Sequence, residues 1–278
     1  MSQYKNNAEL DRRFEFGANW ARFLSSLNDK KIQVAEDSLR RMLATQDLQG
    51  KTFLDVGSGS GLFSLATRRL GARVRAFDYD SQSAACTVAL KHRYFPDDPD
   101  WIVEEGSVLD SDYLHRLGRF DVVYSWGVLH HTGAMWRALE NVAPLVAEGG
   151  KLFIAIYNDQ GASSKMWLRV KQAYNALPRP LRWLVLLPAL IRLWGPMSAL
   201  DIVQGKPFQS WRQYGGAEAR GMSPWHDVVD WVGGLPFEVA QPAEIFNFYR
   251  ERGFQLEKMT TRTGQLGCNE FVFTRQGA

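Results

Sequence analysis

The sequence predicts an α/β fold, a mostly parallel sheet whose strands alternate with helices. Two stretches carry that expectation. In the first, Lys51 to Asp78 (KTFLDVGSGSGLFSLATRRLGARVRAFD), the apolar run Phe53, Leu54 and Val56 stops at Gly57, Gly59 and Gly61. A helical pattern follows with Leu62, Leu65, Ala66 and Leu70 on one face, then Gly71 and a β-type run, Val74, Ala76 and Phe77, ending in Asp78. Strand, glycine turn, helix, strand and acid form the order of a nucleotide-binding βαβ unit. In the second stretch, Phe120 to Trp126 (FDVVYSW) is apolar almost throughout, as expected of a strand buried on both faces.

The glycines have a mechanical role. They permit a tight turn and let a ligand approach the backbone where a Cβ would collide. Asp78, about twenty residues beyond the turn, ends its strand where a carboxylate accepts both hydroxyls of a ribose. A dinucleotide would lay its pyrophosphate on the helix N-terminus. Asp55, just before the first glycine, repels a pyrophosphate and favours a cation.

Ahead of this unit, residues 8–42 read as one or two helices. Phe14, Trp20, Phe23, Leu24 and Leu27 form an apolar cluster that Ile32, Val34, Leu39 and Leu43 continue. After Asp78 and Tyr79, a helix from about Ser81 to Arg93 carries Ala85, Val88 and Ala89 inward. Pro96 to Asp100 (PDDPD) is a turn, and Trp101 to Val103 form a short third strand leading into EEGSVLD at 104–110.

The strand at Phe120 to Trp126 delivers SWGVLHHTG to the carboxyl ends of the sheet, the side on which α/β folds bind ligands. His130 and His131 are the chemically useful residues there. A neutral imidazole takes a proton from a hydroxyl near neutral pH; the other reading is that one histidine supports the backbone or the pocket. A helix over 133–146 and the turn Glu148-Gly149-Gly150 lead to a fifth strand, Lys151 to Tyr157, which ends at the same edge with Tyr157 and Asn158. Pro242 to Gly253 is a helix with Pro near its start and Gly at its C-cap. Phe254 to Thr261 and Asn269 to Arg275 read as two strands joined by a Gly264/Gly267 turn.

Residues 158–241 interrupt this pattern. A structureless loop of that length is improbable, and Ser164 to Ala176 and Leu181 to Leu193 both have helical apolar spacing. Six of the ten tryptophans fall here: Trp167, Trp183, Trp194, Trp211, Trp225 and Trp231. The segment reads as a helical cap over the binding edge, its aromatics either making a small core or lining a site. Ser210 to Glu238 interleaves Trp, Gly, Arg, His and Asp, which suits stacking and hydrogen bonding to a sugar or another polyhydroxylated ring. Trp211, Tyr214, Trp225, Asp227 and Trp231, with Tyr157 and Asn158, are the candidate substrate contacts. His226 beside Asp227 is a third candidate base, or a helix cap.

The 278 residues, 45% hydrophobic and 23% charged, suit a globular chain with a full core. A net charge of +3 is too mild for a dedicated nucleic-acid binder. Cys86 and Cys268 lack metal-ligand spacing, and no carboxylate/His cluster suggests a metal, so a reducing, cytoplasmic setting without metal is expected. The longest apolar run, Trp183 to Ile191, contains Pro188 and is read as too short to span a bilayer. Arg179, Arg182 and Arg192 around it suggest either peripheral lipid contact or a solvated face.

The order Asp55-Val56-Gly57-Ser58-Gly59-Ser60-Gly61 resembles motif I of the class I S-adenosylmethionine (SAM)-dependent methyltransferases, and SWGVLHHTG resembles the motif IV region of their small-molecule and quinone methylases. The resemblance covers residues 51–276 apart from the interruption. It implies a Rossmann-like, seven-stranded, mostly parallel sheet with an antiparallel last strand. It also implies SAM as cofactor and S-adenosylhomocysteine (SAH) as product. Asp55 then faces the SAM ammonium, with Gly57, Ser58, Gly59 and Gly61 forming the cradle and Asp78 at the ribose. Tyr79 lies against the adenine, and Ser125 and Trp126 lie on the cofactor side of the motif IV edge. Ser107 occupies the position at which the family commonly has an acid for the adenine amino group, and Val108 N–H is the expected contact to a ring nitrogen. N-terminal extensions in this family often fold over the cofactor, and Trp20 is the contact that would show it.

The expected organisation is a helical extension (1–50), a SAM-binding core (51–157), a Trp-rich cap (158–241) and the end of the core (242–278). The expected reaction is in-line methyl transfer to a hydroxyl oxygen of a small polar acceptor, such as a saccharide or specialised metabolite, with His130 or a neighbour taking the proton. Three alternatives remain: a quinone or lipid-ring acceptor, a nucleic-acid acceptor, and a SAM-binding protein without turnover. The sequence carries no basic tail and no (Asn/Asp)-Pro-Pro-(Tyr/Phe) motif, so a nucleic-acid partner is not expected.

Overall fold

The computed structural model describes residues 16–25, 27–214, 224–262 and 266–277, apart from the side chains at 16, 18, 19, 21, 22 and 226. Two helices, α1 (Phe16–Ser25) and α2 (Asp29–Leu43), precede the sheet. The core then alternates β1 (Thr52–Val56), α3 (Leu62–Arg69), β2 (Arg73–Asp78), α4 (Ser81–Tyr94), β3 (Trp101–Glu105), α5 (Ser111–Leu117), β4 (Phe120–Trp126), α6 (Met135–Val142) and β5 (Val146–Tyr157). Four helices follow before the chain returns to the sheet: α7 (Ala162–Ala176), α8 (Trp183–Val203), α9 (Gln209–Gln213) and α10 (Pro224–Gly233). The return is made by α11 (Pro242–Arg250), β6 (Phe254–Thr260) and β7 (Cys268–Arg275).

The seven strands lie in the order β3-β2-β1-β4-β5-β7-β6. The pairs from β3 to β5 are parallel, and β7 runs antiparallel to both β5 and β6. Strand order reverses between β1 and β4, which opens a crevice at their carboxyl ends, the place where open α/β sheets bind ligands. Side chains alternate across the sheet with the strand period of two. Phe53, Val122, Tyr124, Phe153 and Val272 face the layer made with α2 and α3, while Leu54, Val123, Leu152, Ile154, Phe271 and Phe273 face the layer made with α6 and α11. Burial of both faces explains the apolar run in β4.

Three expectations change. The inward face of α4 is Ser83, Ala84, Cys86, Thr87 and Leu90, while Ala85 and Ala89 are exposed. The reason is the glycine turn: a Cβ on Gly61 would lie 2.8 Å from Thr87 Cα, and the Ser58 and Thr87 hydroxyls meet at 2.9 Å, so a small polar face packs there. The strand read as starting at Lys151 starts at Val146, running through Gly149 and Gly150 with a register shift opposite Phe120/Val122. Finally, α8 passes through both Pro188 and Pro196 to Val203. Each proline lacks a donor N–H and would ordinarily disturb a helix, but both are exposed, where water can satisfy the carbonyl left without a partner. With the turn before it, the stretch Arg179–Val203 has 25 residues, long and apolar enough to cross a bilayer by length and composition. The reading from the shorter run Trp183 to Ile191 is corrected on that point.

Candidate active site

The glycine turn connects β1 to α3 with Gly57, Gly59 and Gly61 all at positive φ (79°, 55° and 77°), a region L side chains rarely adopt. Its amides point inward. Gly57 N–H and Ser58 N–H donate to Phe77 O at 2.8 and 3.1 Å, Gly61 N–H donates to Ser58 O at 2.8 Å, and Gly59 N–H donates to Asp78 Oδ2 at 2.9 Å. These donors are therefore engaged within the protein and do not form the outward array that a pyrophosphate needs. Asp55 beneath the turn is 2% exposed and accepts the Ser64 hydroxyl at 2.5 Å. An inward-bonded cradle with two carboxylates at its ends fits a cationic, ribose-bearing ligand, which is the chemistry of SAM.

Asp78 also accepts Asp80 N–H at 3.0 Å, and burial raises its pKa from 3.8 to about 6 against the pull of these backbone bonds. Tyr79 is exposed beside it. Helix α1 lies across this edge: Gly17 N–H donates to Asp80 Oδ2 at 2.9 Å, and a Cβ on Gly59 would come within 3.1 Å of the Trp20 indole. Trp20 also meets Phe23 edge-on at 6.1 Å, so the extension both packs on the core and reaches the glycine turn.

The other cofactor candidates divide. Ser107 Oγ accepts Leu109 N–H at 3.2 Å, a turn of its own, and Val108 is buried in the core. Glu104, three residues earlier, is held by Arg75 at 2.7 and 3.1 Å. Ser125 is fully buried and its hydroxyl donates to Val56 O at 3.0 Å, across the strands, so its side chain is turned into the sheet. Trp126 Nε1–H donates to Glu270 Oε1 at 2.7 Å at the end of β4.

Beyond β4, His130 and His131 sit in a one-turn 3-10 helix, Leu129–His131. His130 is fully buried, its Nδ1 is 3.4 Å from Tyr157 N–H, and its Nε2 has no partner among the described residues. His131 Nδ1 is 2.6 Å from Pro236 O, which assigns the proton to Nδ1 and leaves the Nε2 lone pair as acceptor. The Tyr157 ring lies 3.9 Å from the His130 ring and 5.3 Å from His131. Trp231 and Phe237 continue this aromatic wall at 5.0 and 5.4 Å from Tyr157, and Trp167 stands behind Trp231 at 5.6 Å.

Lys171, not anticipated as a site residue, completes the cluster. It is fully buried, donates to Trp231 O, and holds its ammonium 4.6 Å from the Trp231 and Phe237 ring centroids. The signal was present in α7: Ser164, Trp167, Lys171 and Tyr174 are its buried residues, spaced three and four apart, with a lysine in the middle of the stripe. Burial lowers the Lys171 pKa from 10.5 to about 7, with Asp230 opposing. Burial is also the first cause that depresses His130 well below 6.5 and His131 to about 3, and the Lys171 charge adds to both. Both imidazoles are neutral at physiological pH.

The remaining substrate candidates border that wall, where burial first and then nearby charges that include Asp227 push the Tyr157 hydroxyl up. Trp211 and Tyr214 gather around Trp194 at 4.7 and 5.2 Å, and the Tyr214 hydroxyl donates to Asp227. Trp225 is exposed. Asn158 is engaged structurally, donating to Arg262 O at 2.7 Å and accepting from Asn269 at 3.1 Å to tie the end of β5 to the last strands. The side chain of His226 lies outside the described residues. Among the described residues no group of His, Cys, Asp and Glu could hold a metal ion.

A family model described as a methyltransferase domain matches residues 27–198. The ubiquinone biosynthesis O-methyltransferase of Xanthomonas oryzae pv. oryzae is 31% identical to this chain over 176 residues, covering 61% of the chain and 71% of that protein. The protein of the same name from Caulobacter vibrioides is 31% identical over 121 residues; the match covers 41% of this chain and 44% of that protein, so the chain spans under half of it. The crystal structure of magnesium protoporphyrin IX methyltransferase from Synechocystis, with bound SAH, superposes with a TM-score of 0.54 at 14% identity, covering 93% of this chain and 94% of that one. That likeness shows the shared fold. With its glycine cradle and terminal acid in place, and the family match spanning more than half its length, this chain belongs to the methyltransferase-domain family and is a class I SAM-dependent methyltransferase.

Proposed function

We propose that the protein methylates a hydroxyl oxygen on an apolar, quinone-type ring rather than on a saccharide. The observation that carries this reading is the wall itself: Tyr157, Trp231 and Phe237 present ring edges and faces beside two neutral histidines at the carboxyl end of the sheet. Such a surface suits a flat apolar ring. Asp227, the carboxylate expected to hold a sugar, is instead engaged by the Tyr214 hydroxyl. The activity named for the two relatives, O-methylation in ubiquinone biosynthesis, agrees with a ring acceptor.

When bound, SAM supplies a sulfonium-activated methyl group. Asp55, Gly57, Ser58, Gly59, Gly61 and Asp78 would hold it, with Tyr79 and Val108 toward the adenine. The His131 Nε2 lone pair, fixed by the Nδ1–H bond to Pro236, accepts the hydrogen bond of the acceptor hydroxyl and orients its oxygen. Burial keeps both imidazoles in the neutral, accepting form, and the Lys171 charge adds to it.

Methyl-labelled SAM tests this with two acceptor panels, hydroxylated benzoquinol-type rings and free or lipid-linked saccharides. Label entering the ring panel supports the reading. Label entering only saccharides would replace the acceptor, and label entering nothing would count against turnover.

A further inference from the structure

Helix α8 is apolar on nearly every side, yet only 6% of its apolar window is buried within the protein. Trp183, Leu184, Leu187, Ile191, Leu200 and Val203 are exposed. A contiguous surface of this kind is rare on a protein that meets only water and marks an interaction site. Its inner side is held: Val185, Leu186, Leu190, Leu193 and Trp194 pack on the small core of Trp167, Tyr174, Val228 and Val232. The exposed side chains are therefore left over after α8 has been anchored to its own domain.

We infer that α8 docks the protein on an anionic lipid surface, lying along the headgroup region without crossing the bilayer. Charge selects the occupant. Between Pro178 and Phe208 the chain carries Arg179, Arg182, Arg192 and Lys206, and a single acid, Asp201. Asp201 is buried, and its two oxygens accept the Ser210 N–H and hydroxyl, both at 2.8 Å, so it does not offset the cations outside. Apolar side chains with cations among them match acyl chains and anionic headgroups. A second copy of this chain fits poorly, because a self-paired face would set these cations against one another with no outward acid to pair them.

Two observations place the helix along the surface. Arg192 is exposed in the middle of the apolar stretch, where a crossing helix would carry a charge at the bilayer centre. The inner side of α8 remains packed on α7 and α10 residues, and a helix attached along its length to a folded domain does not thread a bilayer. Exposed Trp183 at one end and Phe208 beyond the other supply aromatic side chains of the kind that settle at the interface. The inference follows from exposure and charge and stands whichever hydroxyl is methylated.

The test is flotation of the full chain with preformed vesicles of phosphatidylcholine alone and of phosphatidylcholine mixed equally with phosphatidylglycerol. Binding to the mixed vesicles is expected, weakened by salt and about fivefold by each Arg→Gln change at Arg179 or Arg192. Leu187→Glu with Ile191→Glu is expected to abolish flotation while circular dichroism and SAH binding stay at wild-type values. Should that double variant misfold, Arg192→Gln alone carries the comparison. Absence of flotation with the folded wild type, or equal flotation with both vesicle types, would overturn the inference. So would light scattering that shows a dimer which the double variant converts to monomer, since the face would then belong to a second copy.

Discussion

The backbone N–H of Gly59 donates to Asp78 Oδ2 at 2.9 Å, tying the middle of the glycine turn to the acid at the end of the neighbouring strand. Asp80 N–H donates to the other oxygen at 3.0 Å, so both carboxylate oxygens are fixed by backbone groups. The acid thus holds the turn, and we propose that it also accepts ribose hydroxyls.

Asp78→Ala is expected to weaken SAH binding by about 1.5–3 kcal/mol, the range for hydrogen bonds to a charged group, as read by calorimetry. Burial raises this carboxyl to about 6. Above that pH it is ionised and accepts; below it the proton occupies one acceptor site. SAH affinity is therefore expected to fall as pH is lowered through about 6, and Asp78→Asn is expected to flatten that dependence.

At Gly57 a Cβ would lie 2.4 Å from Val128 Cγ1, and φ is +79°. Gly57→Ala is expected to cost about 1–3 kcal/mol from backbone strain, plus the collision, and to lower both Tm and SAH affinity. Adding Val128→Ala removes the two closest collisions, leaves the Val128 Cβ at 3.0 Å and leaves the strain. The double variant should recover part of the loss, and full recovery would contradict a strained turn.

His131→Ala is expected to reduce kcat up to about tenfold, the worth of one positioning hydrogen bond, with little change in SAH binding. Because His131 titrates near 3, the wild type should show no acid limb from this residue above pH about 4. His130→Ala should act differently. Its ring is buried against Tyr157, so loss of thermal stability is the expected first effect. Normal turnover by His131→Ala would remove that residue from the chemistry.

Lys171→Met tests the buried cation. In the unfolded chain this amine holds its proton up to about 10.5, in the folded protein only up to about 7. Between these values the unfolded state binds more protons, so stability rises with pH by up to about 1.4 kcal/mol per unit. In Lys171→Met that rise should vanish from the Tm profile between pH 7 and 10.5. Removing the charge should also raise the titration of both histidines by NMR.

The cofactor half was legible because its signal is local: a strand, a glycine turn and an acid within Lys51 to Asp78 specify one another through backbone geometry. The sheet was legible for the same reason, from the apolar period in Phe120 to Trp126 and the paired runs at the C-terminus. The acceptor half depends on long-range packing. Lys171 reaches Trp231 across sixty positions of chain, and Pro236 meets His131 across more than a hundred. Asn158 and Ser125 showed the converse limit, since their polar side chains at the binding edge satisfy neighbouring backbone groups. The length of α8 was hidden by Pro188 and Pro196, which mark helix ends in most contexts.

The most direct measurement is carbon-13 NMR of the product formed from methyl-labelled SAM and a hydroxylated quinol ring. A single labelled methoxy resonance, formed by the wild type and formed more slowly by Asp78→Ala and His131→Ala, is the predicted result. Label on carbon or nitrogen, or full activity in both variants, would contradict transfer to a ring oxygen at this site.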